Sequence, residues 1–265
     1  MPELPEVESF RLYMDSTSLN KTITGVEVQS SSVLAGVTKN ALQKKLKGKK
    51  FLSTSGYGKY LFAETNNNEF LVMHFGMTGF LNYYKKRDEG GKYIRMQVNF
   101  KNGYHLAFDD RRKLGHIYFT DDLKKFIKKK RLGVDPVREN IGYSDFKKYL
   151  TGRRGTVKSV FMNQEIFAGI GNIYSDEILF HSKINPNTSF EKLKEKDLKT
   201  LFRKMKDILR LAIDKDAEWG ELPENFLLHY RKPGKDCPLC SGTIERSTIG
   251  GRSSYYCNKH QRLVK

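Results

Sequence analysis

The stretch Met1-Pro2-Glu3-Leu4-Pro5-Glu6-Val7-Glu8 opens the chain and is acidic. It lacks the basic segment followed by an apolar one that marks a secretory signal, so no such signal is expected. Proline is favoured in the first turn of a helix. The residues after Pro5 carry a partly apolar helical face, made of Val7, Phe10, Leu12 and Met14. The sequence therefore predicts a helix that follows Pro5.

Residues 23 to 120 change to short alternating stretches typical of β-strands, separated by turn clusters such as Asn66-Asn67-Asn68. The clearest strands are residues 26–28, 60–63, 70–74 and 104–108. One helix, capped by Thr38 and ending at Leu46, interrupts this region. Many short strands with few helices predict an antiparallel sandwich or barrel.

Residues 128–140 become basic and then contain glycine and proline, which predicts an interdomain linker. Beyond it the apolar spacing is helical, and one long stripe is expected to be core: Leu198, Leu201, Phe202, Met205, Ile208, Leu209 and Ala212. The predicted class is α+β. The predicted domains are an N-terminal β-sandwich (1–127), the linker (128–140), a helical domain (141–230) and a small module (231–265).

Three cysteines, Cys237, Cys240 and Cys257, are clustered near the end of the 265-residue chain. An odd, clustered count argues against a disulfide framework and for a metal. With His260 they give C-x2-C, sixteen residues and C-x2-H, a spacing that supplies four ligands to one tetrahedral Zn²⁺. Four protein ligands leave no open position, so the predicted zinc is structural. The alternative is three unrelated cysteines and a surface histidine.

Between the two ligand pairs, residues 244–256 have the pattern of a β-hairpin that turns at Gly250-Gly251. This hairpin presents Arg252 near its tip. A metal-stiffened hairpin that offers an arginine suits contact with phosphates or the minor groove.

The chain has 48 Lys plus Arg against 30 Asp plus Glu, a net charge of +18, which indicates a polyanionic partner or a basic surface that only aids solubility. Basic residues beside glycine and aromatic residues at 56–60, 111–115 and 250–255 favour nucleic acid. Residues 124–131 are more typical of a solvated helix end. No apolar run has membrane-spanning length. A cytoplasmic, nucleoid-associated monomer is expected.

The opening stretch also resembles the start of the formamidopyrimidine-DNA glycosylase / endonuclease VIII family. Further matching motifs follow in order: Gly58-Lys59-Tyr60, His74-Phe75-Gly76-Met77-Thr78-Gly79, Ala168-Gly169-Ile170-Gly171-Asn172-Ile173-Tyr174-Ser175-Asp176-Glu177, and the cysteine module. The resemblance implies an N-terminal β-sandwich with flanking helices, a hinge, a helix–two-turn–helix domain and a zinc finger, with damaged double-stranded DNA bound between the domains.

Pro2 offers a nucleophile if Met1 is removed, because it then carries a secondary amine as the chain terminus. An α-amino group has a reference pKa of about 8, so a useful fraction is neutral at pH 7. A retained Met1 would acylate this nitrogen. By resemblance Glu3 is the acid/base residue and Glu6 a helper in the same pocket. Taken alone, Pro2 could also simply begin a helix.

The resemblance implies phosphate contacts for Lys59, Asn172 and Arg252, and Lys59 is expected to belong to the catalytic group as well. Asn172 could also be a plain helix cap. His74 is expected near the phosphates or the cleft floor, with a purely structural histidine as the alternative.

Void-filling residues are also implied, because an enzyme that acts on a base must take it out of the stack. Met77 would wedge into the duplex. The family's D-x-R-x-F-G loop is Asp110-Arg111-Arg112-Lys113-Leu114-Gly115 here. Arg112 would face the widowed base, and Leu114 stands where phenylalanine is typical.

Two further departures are the histidine at position 260, where cysteine is more frequent, and the short segment 219–230. In 8-oxoguanine-specialised members a longer, glycine-rich loop closes over the flipped base there. We expect a bifunctional DNA glycosylase and abasic-site lyase of base excision repair. The alternative is a noncatalytic, zinc-dependent nucleic-acid-binding protein on the same scaffold.

Overall fold

The structure, a computed structural model, describes residues 1–264 apart from the side chain of Arg87. The chain divides into two units, Met1–Lys130 and the part that begins at Arg131. The boundary falls inside residues 128–140, which the composition marks as a linker. Val134 is buried and bridges to Phe167, so this part of the segment packs into the second unit.

The first unit contains the predicted β-rich region. Its α-helices are α1 (Leu4–Ser18), α2 (Lys39–Leu46) and α3 (Leu123–Lys129). Its strands are β1 (Ile23–Val28), β2 (Phe51–Tyr57), β3 (Tyr60–Thr65), β4 (Phe70–His74), β5 (Gly79–Tyr84), β6 (Ile94–Phe100), β7 (His105–Asp110) and β8 (His116–Thr120). They form two four-stranded sheets in the orders β1-β6-β7-β5 and β2-β3-β4-β8, with all pairs antiparallel.

One hydrophobic core lies between the two sheets. Val98 and Phe108 from the first sheet and Leu61 and Met73 from the second belong to the same buried cluster. Met14 of α1 packs into it too. The sandwich prediction is therefore confirmed. Thr38 caps α2 as predicted, because its side chain accepts a hydrogen bond from the backbone N–H of Ala41.

The second unit is helical and ends in a hairpin. Its α-helices are α4 (Tyr143–Leu150), α5 (Val157–Met162), α6 (Asn172–His181) and α7 (Glu195–Asp214), and its strands are β9 (Glu245–Ile249) and β10 (Arg252–Tyr256). The predicted stripe lies on α7, where Leu201, Met205 and Leu209 are fully buried. The predicted α+β class is confirmed.

The β9–β10 hairpin has the predicted turn. Gly250 and Gly251 both have positive φ, +56° and +72°, as a two-residue type I′ turn requires. Ile249 pairs with Arg252 across this turn. A separate small cluster of Phe180, Cys237 and Ile244 packs this module against α6.

Among residues 1–264, no helix combines the length and the apolar character needed to cross a membrane.

Candidate active site and nucleic-acid interface

Pro2, Glu3 and Glu6 are brought together by the first turn of α1. Glu3 is the N-cap residue and is buried, with 1% of its surface exposed. The backbone N–H of Glu3 donates to Glu6 Oε2 over 2.8 Å, so the Glu6 carboxyl folds back over the helix start. The two carboxyl groups therefore both belong to the start of α1, and Pro2, which is half-buried, directly precedes Glu3.

The Glu6 carboxyl has an altered acidity. Burial, together with the neighbouring charge of Glu3, raises its pKa from 4.5 to about 7. At neutral pH a substantial fraction of Glu6 therefore carries a proton. A carboxyl group that titrates near neutrality suits acid/base chemistry.

Lys59 lies at the two-residue turn between β2 and β3. Gly58 has φ +57° and Tyr57 pairs with Tyr60, so a tight hairpin presents Lys59. Its side chain is mostly buried, with 7% exposed. A nearly buried ammonium group favours an anionic partner.

His74 ends β4 and is held as a neutral imidazole. Its Nδ1 accepts a hydrogen bond from the Gly76 N–H over 3.3 Å, so the ring proton is on Nε2. Burial, together with the charges of Lys59, His116 and Lys130, lowers the pKa of His74 to about 4. His74 can therefore donate one hydrogen bond to an anion without being charged.

His116 was not selected from the sequence, although it lies directly opposite His74 in the β4–β8 pair. The two rings are nearly parallel, 26° apart, with centroids separated by 6.4 Å. Period-two alternation alone cannot show which strands become neighbours, so this pairing could not be predicted from the sequence.

Met77 lies on the turn between β4 and β5 (the Met77 turn), and Leu114 lies on the loop between β7 and β8 (the Leu114 loop). Both side chains protrude from the first unit. Each exposes 43% of its surface, and Arg112 is exposed as well. Gly76 of the Met77 turn packs directly on the backbone of the Leu114 loop, because a Cβ atom at position 76 would lie 2.4 Å from the carbonyl carbon of Leu114. The structure therefore brings the two predicted void-filling elements together.

Asn172 is the first residue of α6, and a hydrogen bond from a buried lysine holds its side chain. Asn172 Oδ1 accepts a hydrogen bond from Lys158 Nζ over 2.8 Å. Lys158 is fully buried and also pairs with Asp176 Oδ1 at 2.6 Å. With Oδ1 engaged, the Nδ2 group is the part of Asn172 that can donate to a phosphate.

The same Asp176 carboxylate anchors the hairpin that carries Arg252. It accepts hydrogen bonds from Ser254 Oγ over 2.7 Å and from the Tyr255 N–H over 3.1 Å. Arg231 adds an ion pair to Asp176 at 2.8 Å. Arg252 itself is exposed, and its Nη1 lies 3.7 Å from Met162 Sδ. Asn172 and the hairpin therefore share one buried anchor.

The predicted metal ligands are brought together only in part. The Sγ atoms of Cys237, Cys240 and Cys257 lie within 4.8 Å of one another, a spacing that suits a metal ion. His260, the fourth predicted ligand, is not part of this group of three. Its Nε2 donates to the Phe180 carbonyl over 3.1 Å, which leaves Nδ1 as the unprotonated nitrogen.

Comparison with known proteins identifies the scaffold. The family model for the formamidopyrimidine-DNA glycosylase N-terminal domain matches residues 1–117, and the model for the H2TH domain of the same enzyme matches residues 132–221. The chain belongs to the formamidopyrimidine-DNA glycosylase / endonuclease VIII family. The resemblance stated from the motifs is thereby confirmed, and membership makes the chain a DNA glycosylase of DNA repair.

Relatives in this glycosylase family match over their whole length. A formamidopyrimidine-DNA glycosylase from Pelotomaculum thermopropionicum is 34% identical over 99% of this chain and 100% of its own. One from Mycoplasma genitalium is 31% identical over 100% and 97%. A crystal structure of the Lactococcus lactis enzyme with DNA containing an abasic site superimposes with a TM-score of 0.88, at 26% identity, and covers 98% of this chain and 99% of its own.

The segment of residues 219–230 packs against the second unit through several apolar side chains. Leu222, Phe226 and Leu227 are buried. The buried carboxylate of Glu177 accepts hydrogen bonds from the N–H groups of Leu227 and Leu228, over 2.8 and 3.0 Å. This segment is therefore part of the helical core.

Proposed function

We propose that this glycosylase is bifunctional and excises oxidised or ring-opened bases from double-stranded DNA through an iminium at Pro2, then cleaves the strand as an abasic-site lyase. One observation carries the proposal: the first turn of α1 gathers Pro2, a buried Glu3 and a Glu6 whose pKa is about 7. A noncatalytic binding protein would have no use for a buried and a half-buried carboxyl group beside a proline whose nitrogen becomes a free amine when Met1 is removed.

The first step joins Pro2 to the sugar. After removal of Met1, the lone pair of the Pro2 nitrogen attacks C1′ of the damaged nucleotide, and the bond from C1′ to the base breaks with its electron pair on the base. The Pro2 nitrogen gives up its proton, which the departing base takes. The nitrogen lone pair then forms the C1′=N⁺ bond as the C1′–O4′ bond breaks, and Glu3 protonates the ring oxygen O4′ so that the sugar opens. The product is a Pro2 iminium on the open-chain sugar.

The second step breaks the strand. The iminium acidifies C2′–H, and a carboxylate of the pocket removes that proton. The electrons form the C2′–C3′ double bond, and the 3′ phosphate leaves. Because Glu6 titrates near neutrality, it can accept or return a proton while Glu3 remains available. We assign Glu6 this helper role.

DNA contacts follow from the donors already described. We propose that Lys59, His74, Asn172 and Arg252 contact phosphates around the lesion. Lys59 and Arg252 supply positive charge, and His74 supplies a neutral Nε2–H. Met77 and Leu114 would fill the space left by the extruded nucleotide, and Arg112 would face the widowed base.

We propose that the cysteine group binds one structural Zn²⁺, with His260 Nδ1 as the fourth ligand. The donor set fits, because three thiolates and an imidazole are common zinc ligands. The Nε2–H bond to the Phe180 carbonyl is the outer contact that a ligating histidine usually makes. The ion would stiffen the small module that carries Arg252. Location at the nucleoid and a monomeric state complete the proposal.

The test is borohydride trapping with duplexes that carry different lesions. Wild-type protein freed of Met1 should form a covalent adduct with damaged and with abasic DNA, because borohydride reduces the iminium. Pro2→Gly and Glu3→Gln should each lose base excision. Undiminished excision by both variants would refute these roles. DNA binding without any adduct or excision by wild type would favour the noncatalytic alternative.

A further inference from the structure

Asp110 ends β7, and its side chain has no exposed surface. A buried carboxylate is costly unless hydrogen bonds replace its water. The positions of its donors therefore show what this residue does in the fold.

The donors come from both protruding segments. From the Met77 turn, Thr78 Oγ1 donates to Asp110 Oδ1 over 2.5 Å. From the Leu114 loop, the backbone N–H of Gly115 donates to Oδ2 over 2.7 Å and that of Arg112 to Oδ1 over 3.2 Å. One carboxylate thus holds two segments that lie more than 30 residues apart in sequence.

The two segments also bond to each other. The backbone N–H of Arg112, which donates to Asp110 Oδ1, also donates to Thr78 Oγ1 over 3.1 Å. Lys113, between Arg112 and Leu114, has φ +55°, a left-handed conformation that a non-glycine residue adopts only when its surroundings impose it. The Asp110 bonds on either side supply that constraint.

We propose that Asp110 is a positioning residue that fixes Met77, Arg112 and Leu114 in one geometry for base extrusion, without contact with the DNA. This inference rests on the proposed function. An apolar wedge can replace a base only if it is already in place when the stack opens, since a misplacement of about 1 Å can cost roughly a hundredfold in rate. A carboxylate with three fixed donors supplies that rigidity.

The decisive variant is Asp110→Asn, which keeps the shape but replaces one acceptor oxygen by a donor group. Two substrates separate its effects: a duplex with a damaged base, which needs extrusion, and a single-stranded abasic oligonucleotide, which needs only the chemistry at Pro2. 2-Aminopurine opposite the lesion reports unstacking by its fluorescence. Asp121→Asn, at an exposed carboxylate after β8, is the matched control.

We expect Asp110→Asn to slow single-turnover excision from the duplex by about 10- to 100-fold and to suppress the 2-aminopurine signal, with cleavage of the abasic oligonucleotide unchanged. Equal losses on both substrates, or none on either, would overturn the positioning role. Inactive wild-type protein would instead refute the proposed function.

If Asp110→Asn does not fold, Thr78→Val replaces it under the same criteria, because it removes the hydroxyl that joins the two segments. Thr78→Ser, which keeps that hydroxyl, should restore duplex excision. Failure of the serine variant to do so would count against the hydrogen-bonded clamp.

Discussion

Lys158 is the residue whose replacement should most affect the second unit. Its ammonium group lies 2.6 Å from Asp176 Oδ1, and neither side chain is exposed. Removing one partner of a buried pair costs about 3–5 kcal/mol, because the other charge stays buried. In a variant without this lysine, Arg231 still forms an ion pair with Asp176, and Ser254 still donates a hydrogen bond to it. We therefore expect Lys158→Met to lower the free energy of unfolding by about 3 kcal/mol, the low end of that range.

The same variant should weaken DNA binding, because Asn172 Oδ1 loses its donor. A hydrogen bond to a charged group contributes about 1.5–3 kcal/mol, so a misplaced Asn172 should cost roughly tenfold in affinity or more. Titration of a fluorescent abasic duplex at fixed salt measures the loss. The single tryptophan, Trp219, lies in the second unit, and its fluorescence during urea unfolding reports the stability of that unit.

A double-mutant cycle isolates the pair. Lys158→Met combined with Asp176→Asn removes both charges and should cost less than the sum of the single variants. Lys196→Met, at an exposed lysine of α7, is the control and should change little. A cost below about 1 kcal/mol for Lys158→Met, or strict additivity in the cycle, would show that this pair is not the anchor described above.

Three further outcomes are expected. Cys240→Ser and His260→Ala should each release zinc and weaken DNA binding while the β-rich unit stays folded; metal analysis that finds no zinc in the purified wild type would contradict this. Single-turnover excision rates should be higher for hydantoin or formamidopyrimidine lesions than for 8-oxoguanine. The reason is that the short segment 219–230 supplies few groups to discriminate a flipped 8-oxoguanine from guanine. A tenfold or greater preference for 8-oxoguanine opposite cytosine would show that other residues close the pocket. The fold favours protonated Glu6, so its contribution to stability is complete below pH 4.5 and is lost as the pH rises to about 7. Unfolding measured across this range should show a smaller decline for Glu6→Gln, and an identical decline would mean that Glu6 is solvated.

Local signals in the sequence were sufficient for most elements of the fold. The α7 stripe, the Thr38 cap and the Gly250-Gly251 turn each depend on residues within a few positions of one another. Their physical causes, helical periodicity, a side-chain cap and positive φ, act over the same short distance. The motif resemblance also identified the family, and with it the candidate residues at α1 and α6.

The anchors behind those candidates were decided only by the tertiary structure. Asp110 meets Thr78, and Asp176 meets Lys158 and Ser254, across long separations in sequence. A lysine or aspartate in a sequence looks the same whether it is solvated or buried, because its role depends on which donors folding brings to it. The same reason applies to His260. The spacing of the sequence predicts it as a fourth ligand, whereas its hydrogen bond to the Phe180 carbonyl, which leaves Nδ1 as the nitrogen without a proton, depends on the tertiary structure.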